Sequence, residues 1–107
     1  GKLIIFHSAG HAFAIEAAKG HVTVLVHIGL DTVRMKGEGF RCLAKVGDCV
    51  SAGQRLVEFN LNAIVKAGYS VVSCVLLPEP PEGIQLAKSE LSHVIAGTDT
   101  LLTVLIP

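Results

Sequence analysis

The chain has 107 residues, half of them apolar and 17% charged, and its nine basic and nine acidic side chains leave a formal net charge of zero. That length sets one domain at most, with residues enough for a core and little polar surface to cover it. Balanced charge without a Lys/Arg run excludes an electrostatic nucleic-acid binder, no apolar run approaches the roughly 20 residues of a membrane span, and no secretory leader is recognisable.

In chain order, Lys2 to Phe6 reads as a short apolar strand and His7-Ser8-Ala9-Gly10 as a turn. Residues 11–17 and 22–28 read as two further strands, with Gly20 in the connection. In the second of these, Val22, Val24, Val26 and Ile28 share one face by the period of two, and Thr23, Leu25 and His27 share the other. An imidazole therefore stands on an apolar ladder, and Gly29 breaks the strand directly after it. If the two strands pair, His11 and His27 can face each other. Asp31 and Thr32 bring an acid and a hydroxyl to the same strand end. Asp31 to Phe40 reads as an irregular loop, with Gly29, Gly37 and Gly39 marking the bends.

Arg41 to Val46 reads as a strand closed by Gly47-Asp48, and Val50-Ser51-Ala52-Gly53-Gln54 as a turn before a strand over Arg55 to Phe59. Asn60 caps a short helix with Leu61, Ile64 and Val65 on one side and Gly68 just past its end. Ser70 to Leu77 reads as a continuous apolar strand, and Pro78-Glu79-Pro80-Pro81 as a rigid loop. Ile84 to Leu91 fits helix and strand equally, and Thr100 to Ile106 ends the chain as a strand. Val50-Ser51-Ala52-Gly53 is echoed by Val94-Ile95-Ala96-Gly97, each with a glycine at a reversal that needs positive φ. Many short strands with glycine turns and one short helix predict an all-β fold, an antiparallel β-sandwich or flattened barrel.

Cys42, Cys49 and Cys74 are odd in number and lack C-x-x-C spacing, which reads as reduced thiols in a cytoplasmic protein. The candidate chemistry lies in His11 and His27. A neutral imidazole is a competent nucleophile near neutral pH. A phosphoryl group on its ring needs in-line positioning and donors for its oxygens, and a second histidine can supply a donor. His7, His21 and His93 lack such surroundings and read as surface or loop residues. Glu16, Lys36 and Glu38 read as solvated and Phe13 as core.

His11-Ala12-Phe13-Ala14-Ile15-Glu16, then Val26-His27-Ile28-Gly29-Leu30-Asp31-Thr32-Val33, then Lys36-Gly37-Glu38-Gly39-Phe40 resemble the glucose/N-acetylglucosamine/β-glucoside class of enzyme IIA, the sugar-specific phosphocarrier domains of the bacterial phosphotransferase system. The resemblance covers nearly the whole chain, weakly toward the C-terminus. It implies a compact β-sandwich with two adjacent histidines in a shallow, apolar-rimmed depression. It assigns phosphorylation to His27, stabilisation of the phosphoryl group to His11, partner binding to Asp31, and an apolar docking rim to Phe6, Leu25 and Val33. For Asp31, capping of the following turn is the alternative. It implies a carrier that takes its phosphoryl group from phospho-HPr and passes it to the cysteine of a sugar-specific enzyme IIB, with the membrane transporter an indirect partner and no cofactor. Where the family has a threonine two positions before the second histidine, this chain has Ala9, with Ser8 one step back and a turn one residue longer.

The family's Ala-Pro-x-Asp-Gly stretch and earlier strands do not precede Gly1, so the expectation is a single enzyme IIA-like domain over residues 1–107, shortened by about a third at its start. The apolar surface so uncovered predicts a homo-oligomer, or pairing with a segment that supplies the lost strands. Two other functions stand beside the carrier. One is a non-catalytic regulatory module docking through the same face. The other is a zinc-dependent β-sandwich hydrolase, for which the His-x-His pair is lacking. No metal is expected in the lone chain, although His11 and His27 could share a zinc ion with a partner's ligand.

Overall fold

The computed structural model describes all of residues 1–107. Alternating apolar segments separated by glycine turns give an antiparallel meander of β1 (Lys2–Phe6), β2 (Ala12–Glu16) and β3 (Thr23–His27). The β1–β2 turn closes with the Gly10 N–H donating to the His7 carbonyl at 2.8 Å and the His7 N–H donating to the Ala12 carbonyl at 2.9 Å. Gly10 takes φ 85° there, and a Cβ on it would press against the side chains of Phe40 and Cys42 at 3.2 Å. A 3-10 turn follows at Thr32–Met35, then β4 (Phe40–Cys42), β5 (Val57–Phe59), α1 (Leu61–Lys66), β6 (Cys74–Leu76), β7 (Gln85–Lys88) and β8 (Leu102–Leu105).

All the pairings are antiparallel. One sheet has the order β1-β2-β3-β6, and β4-β5 and β7-β8 form two-stranded ribbons. The all-β expectation with one short helix therefore holds. The helix forms where its capping residues place it. The Asn60 side chain accepts from the Ala63 N–H at 3.2 Å, and Gly68 past its end takes φ 86°. Gly53 and Gly97 both take positive φ, as their echoed reversals require.

Several expected strands are shorter than their apolar runs, the closing one included, where Thr100–Ile106 gives β8 over Leu102–Leu105. The stretch read as Arg41–Val46 pairs only at its start, because residues 47–50 leave the ribbon and run beside β1: the Gly47 N–H donates to the Leu3 carbonyl and the Leu3 N–H to that of Asp48. The stretch read as Arg55–Phe59 pairs from Val57 on. Of the run read as Ser70–Leu77 only Cys74–Leu76 is strand, since the Ser70 carbonyl and the Ser73 hydroxyl bond the loop after β3 and the Ser70 hydroxyl accepts from the Val72 N–H. The ambiguous 84–91 stretch contains β7, paired with β8.

The register sets the faces. Ala12 stands opposite His27, Ala14 opposite Leu25 and Glu16 opposite Thr23, while Phe13 stands opposite Val26. Leu25 and His27 therefore share one face, and Val24 and Val26 the other. Burial concentrates at the β3 end of the sheet. Nine residues are buried; one is His11 itself, and four more, Gly10, Ile28, Gly29 and Thr32, lie beside the two histidines in the chain or just beyond them. Elsewhere the surface is large. The chain exposes 7519 Å², against about 5,700 Å² for a folded monomer of its mass. Its radius of gyration is 14.5 Å, against about 13 Å for a compact chain of this length. Ile5, Phe59, Val72, Leu76 and Ile95 are among the large apolar side chains left exposed.

Candidate active site

β3 ends where Gly29 takes φ 73° and the chain reverses. A Cβ at Gly29 would overlap the Thr32 methyl carbon and lie 2.9 Å from the Ser70 carbonyl oxygen, so only glycine fits. The reversal is braced on three sides. The buried Thr32 hydroxyl donates to the Ile28 carbonyl. The Gly29 N–H donates to Ser73 Oγ at 3.0 Å, and the Leu30 N–H donates to the Ser70 carbonyl at 3.0 Å. The Gly29 carbonyl is thereby turned back on the strand end, 2.8 Å from His27 Nδ1. A carbonyl only accepts, so in the neutral ring Nδ1 carries the proton and Nε2 keeps the lone pair.

His11 lies in a bend just before β2, not in the strand itself. Its carbonyl accepts from the Ile28 N–H at 2.7 Å, which ties the bend to the end of β3. Strict alternation from Ala12 would send its side chain to the face away from His27. The bend breaks that alternation, and the two ring centroids are 5.1 Å apart with planes at 70°. His11 is only 3% exposed, and its Nδ1 has no hydrogen-bond partner. Burial, then the neighbouring His7 and His27, lower its pKa below the usual 6.5, so the imidazole is held neutral. His7 packs on it from the β1–β2 turn with centroids 4.3 Å apart, and Phe40 closes its edge at 6.5 Å.

A lone pair on one imidazole beside a second, neutral imidazole suits nucleophilic attack on an electrophile whose oxygens need a donor. Neither ring lines a cleft in the surface. His27 is part-buried at the strand end with the buried His11 behind it, and a reacting ring at the surface outside any cleft suits a macromolecular partner better than an enclosed small molecule. No three His, Cys, Asp or Glu side chains converge to hold a metal ion, so the zinc hydrolase reading has no ligand set.

Residues 1–82 match the family described as phosphoenolpyruvate-dependent sugar phosphotransferase system, EIIA 1. The chain belongs to this enzyme IIA family. It is 30% identical over 105 residues to the glucose-specific EIIA component of Oceanobacillus iheyensis, covering 98% of this chain and 63% of the relative. It is 33% identical over 101 residues to the N-acetylglucosamine-specific EIICBA component of Escherichia coli, covering 94% of this chain and 15% of that protein. Among solved structures it resembles the glucose permease IIA of Mycoplasma capricolum at a TM-score of 0.67 and 38% identity, covering 72% of this chain and 49% of that one. The enzyme IIA chain thus spans less than two thirds of the length of these relatives. The β7–β8 ribbon lies beyond the family match.

In this enzyme IIA chain the residues singled out from sequence are not all at one place. His11, His27 and Leu25 meet at the β3 end, and Val33 is exposed on the 3-10 turn beyond it. Phe6 is elsewhere. It pairs with Phe13, whose partner is Val26, and its ring lies 5.8 Å from that of Phe13, so the register puts it on the face opposite Leu25. Asp31 is exposed at φ 59° and makes no side-chain cap bond, which removes the turn-capping alternative: a cap needs extended backbone to aim its oxygen at the first turn. Ser8 makes no bond to His11, whose Nδ1 stays unpartnered. Sequence reasoning missed the brace from Ser70 and Ser73, the contact of His7, and Cys74, which stands opposite His27 across β3 and β6. The Ser73 hydroxyl in an otherwise apolar run was the available signal for its half of the brace, while the Ser70 half is a backbone carbonyl that any residue supplies. Cys42, Cys49 and Cys74 are all free thiols, and no helix is long and apolar enough to cross a membrane.

Proposed function

We propose that this enzyme IIA domain is a phosphocarrier, accepting a phosphoryl group from phospho-HPr on His27 Nε2 and passing it to the cysteine of a sugar-specific enzyme IIB. The observation that carries the reading is the 2.8 Å contact between His27 Nδ1 and the Gly29 carbonyl. It leaves Nε2 as the only nucleophilic atom of the ring. As the bond from phosphorus to the donor histidine breaks, that histidine leaves with the electron pair and the His27 lone pair forms the new P–N bond. The ring becomes positive, and the Gly29 carbonyl is placed to hold its Nδ1–H. The reverse exchange, with a thiolate as the incoming nucleophile, returns His27 to its neutral state. No cofactor enters either step.

His11 is the stabiliser: a buried, neutral imidazole beside the accepting ring donates to a phosphoryl oxygen without adding a charge beforehand. Leu25, Val33 and Asp31 form the docking rim, with Phe6 belonging to a second apolar face beside Phe13. Glucose-specific and N-acetylglucosamine-specific relatives support a sugar-transport setting in the cytoplasm, with a membrane transporter as indirect partner. The excess exposed surface supports pairing of this single domain with a second copy or with a complementing segment that covers it. The unpartnered Nδ1 of His11 favours a second reading, a regulatory module that docks on the same partners and transfers poorly. Labelling with phospho-HPr and a chase with enzyme IIB separates the two. A carrier loses label to enzyme IIB, and His11→Ala still accepts label but passes it on slowly. A chain that takes no label, or retains it throughout the chase, would overturn the carrier reading.

A further inference from the structure

His7 lies at the site for a reason its neighbours make visible. The Ala9 N–H donates to His7 Nδ1 at 3.0 Å. A backbone N–H only donates, so the neutral His7 ring carries its proton on Nε2 and its orientation is set by the turn it belongs to. That same turn is held by the Gly10 N–H on the His7 carbonyl and the His7 N–H on the Ala12 carbonyl. The imidazole of His7 is thus part of a closed hairpin turn, and it presents its ring to His11 at 4.3 Å with planes inclined at 55°.

His11 needs such a neighbour. Its ring is buried, yet Nδ1 has no hydrogen-bond partner, so no polar contact through Nδ1 fixes the rotation or the tautomer. The aromatic rings that face it are His7 from the β1–β2 turn, His27 from β3 and Phe40 from β4. Of these, His27 is engaged with Gly29 and Phe40 has only an apolar edge. We infer that His7 is a positioning residue for the phosphoryl transfer: its turn-locked ring packs on His11 and orients that imidazole toward His27. The inference rests on the carrier reading for its kinetic consequence, though not for the contact itself. His7 does not touch the reacting atoms. It acts through His11, on the step that His11 serves.

Two substitutions separate the ring from the turn. His7→Asn keeps a side-chain oxygen able to accept the Ala9 N–H two residues on, as Asx turns do, but removes the ring. His7→Phe keeps a ring against His11 but loses the acceptor. The first should leave acceptance from phospho-HPr unchanged and slow onward transfer to enzyme IIB by roughly tenfold, a loss within the range of a displaced positioning group. The second should recover a good part of that rate. Ring-proton NOEs between His11 and His27 provide a readout that needs no partner protein. One His11 ring orientation is expected in the wild type and several in His7→Asn. If the wild type takes no label, the carrier reading fails while the spectra still decide the contact. An unchanged His11 ring orientation in a folded His7→Asn variant would overturn the role of His7, as would onward transfer at the wild-type rate.

Discussion

Replacing Gly29 by alanine probes the reversal that aims the Gly29 carbonyl at His27. Two costs follow from the structure. Holding a non-glycine residue at φ 73° costs roughly 1–2 kcal/mol. The added Cβ also meets the fully buried Thr32 and the Ser70 carbonyl at 2.9 Å, neither of which is the free end of a flexible chain. The combined loss should be about 3 kcal/mol or more. Gly53 provides the control. It has φ 85° but open space where its Cβ would go, so Gly53→Ala bears the backbone cost alone. Only Leu3, Ala14, Val22, Ile28 and Ile64 form the buried apolar core, so stability belongs near the lower end of the usual range, about 5 kcal/mol. Urea unfolding of the three proteins measures the difference. Gly29→Ala should be the least stable, with Gly53→Ala between it and the wild type. Equal losses in the two variants would refute the packing argument, since they share only the positive φ.

His11 should make stability depend on pH. Its folded pKa lies below the unfolded value near 6.5, so the unfolded chain binds more protons in that range and stability falls as pH drops from about 6.5 toward the folded value. His11→Gln should flatten this part of the profile in urea midpoints measured from about pH 5 to about pH 8; an unaltered profile would place the titration elsewhere. The exposed surface predicts self-association at micromolar concentration, because burying several hundred Å² of apolar surface at about 25 cal/mol per Å² favours pairing by several kcal/mol. Sedimentation decides this, and a compact monomer would contradict it.

Much of the site was legible because it is written in local pattern. The period of two located β3 and set His27 on the Leu25 face, and Gly29 marked the strand end. Asn60 and Gly68 delimited the helix. What was not legible depends on partners distant in sequence. Apolarity made Ser70 to Leu77 look like one strand, yet Ser70 and Ser73 are drawn off by the β3 reversal more than forty positions earlier. Residues 47–50 run at the edge of β1 instead of the β4–β5 ribbon for the same kind of reason. The contact of His7 with His11 follows from the shape of a turn, which the residue types alone do not encode. Phe6 was assigned to the rim by its place in the family pattern, whereas its register against Phe13 turns it to the other face.

The central claim concerns one atom. The Gly29 carbonyl occupies His27 Nδ1 at 2.8 Å, and the proposal is that the free Nε2 forms the bond to phosphorus. Treating nitrogen-15-labelled protein with phospho-HPr and reading the histidine ring nitrogens together with phosphorus identifies the atom that is modified. Phosphate on Nε2 of His27, absent from His27→Ala, is the expected result. Phosphate on Nδ1 of His27, on another histidine, or in equal amount on His27→Ala would contradict it.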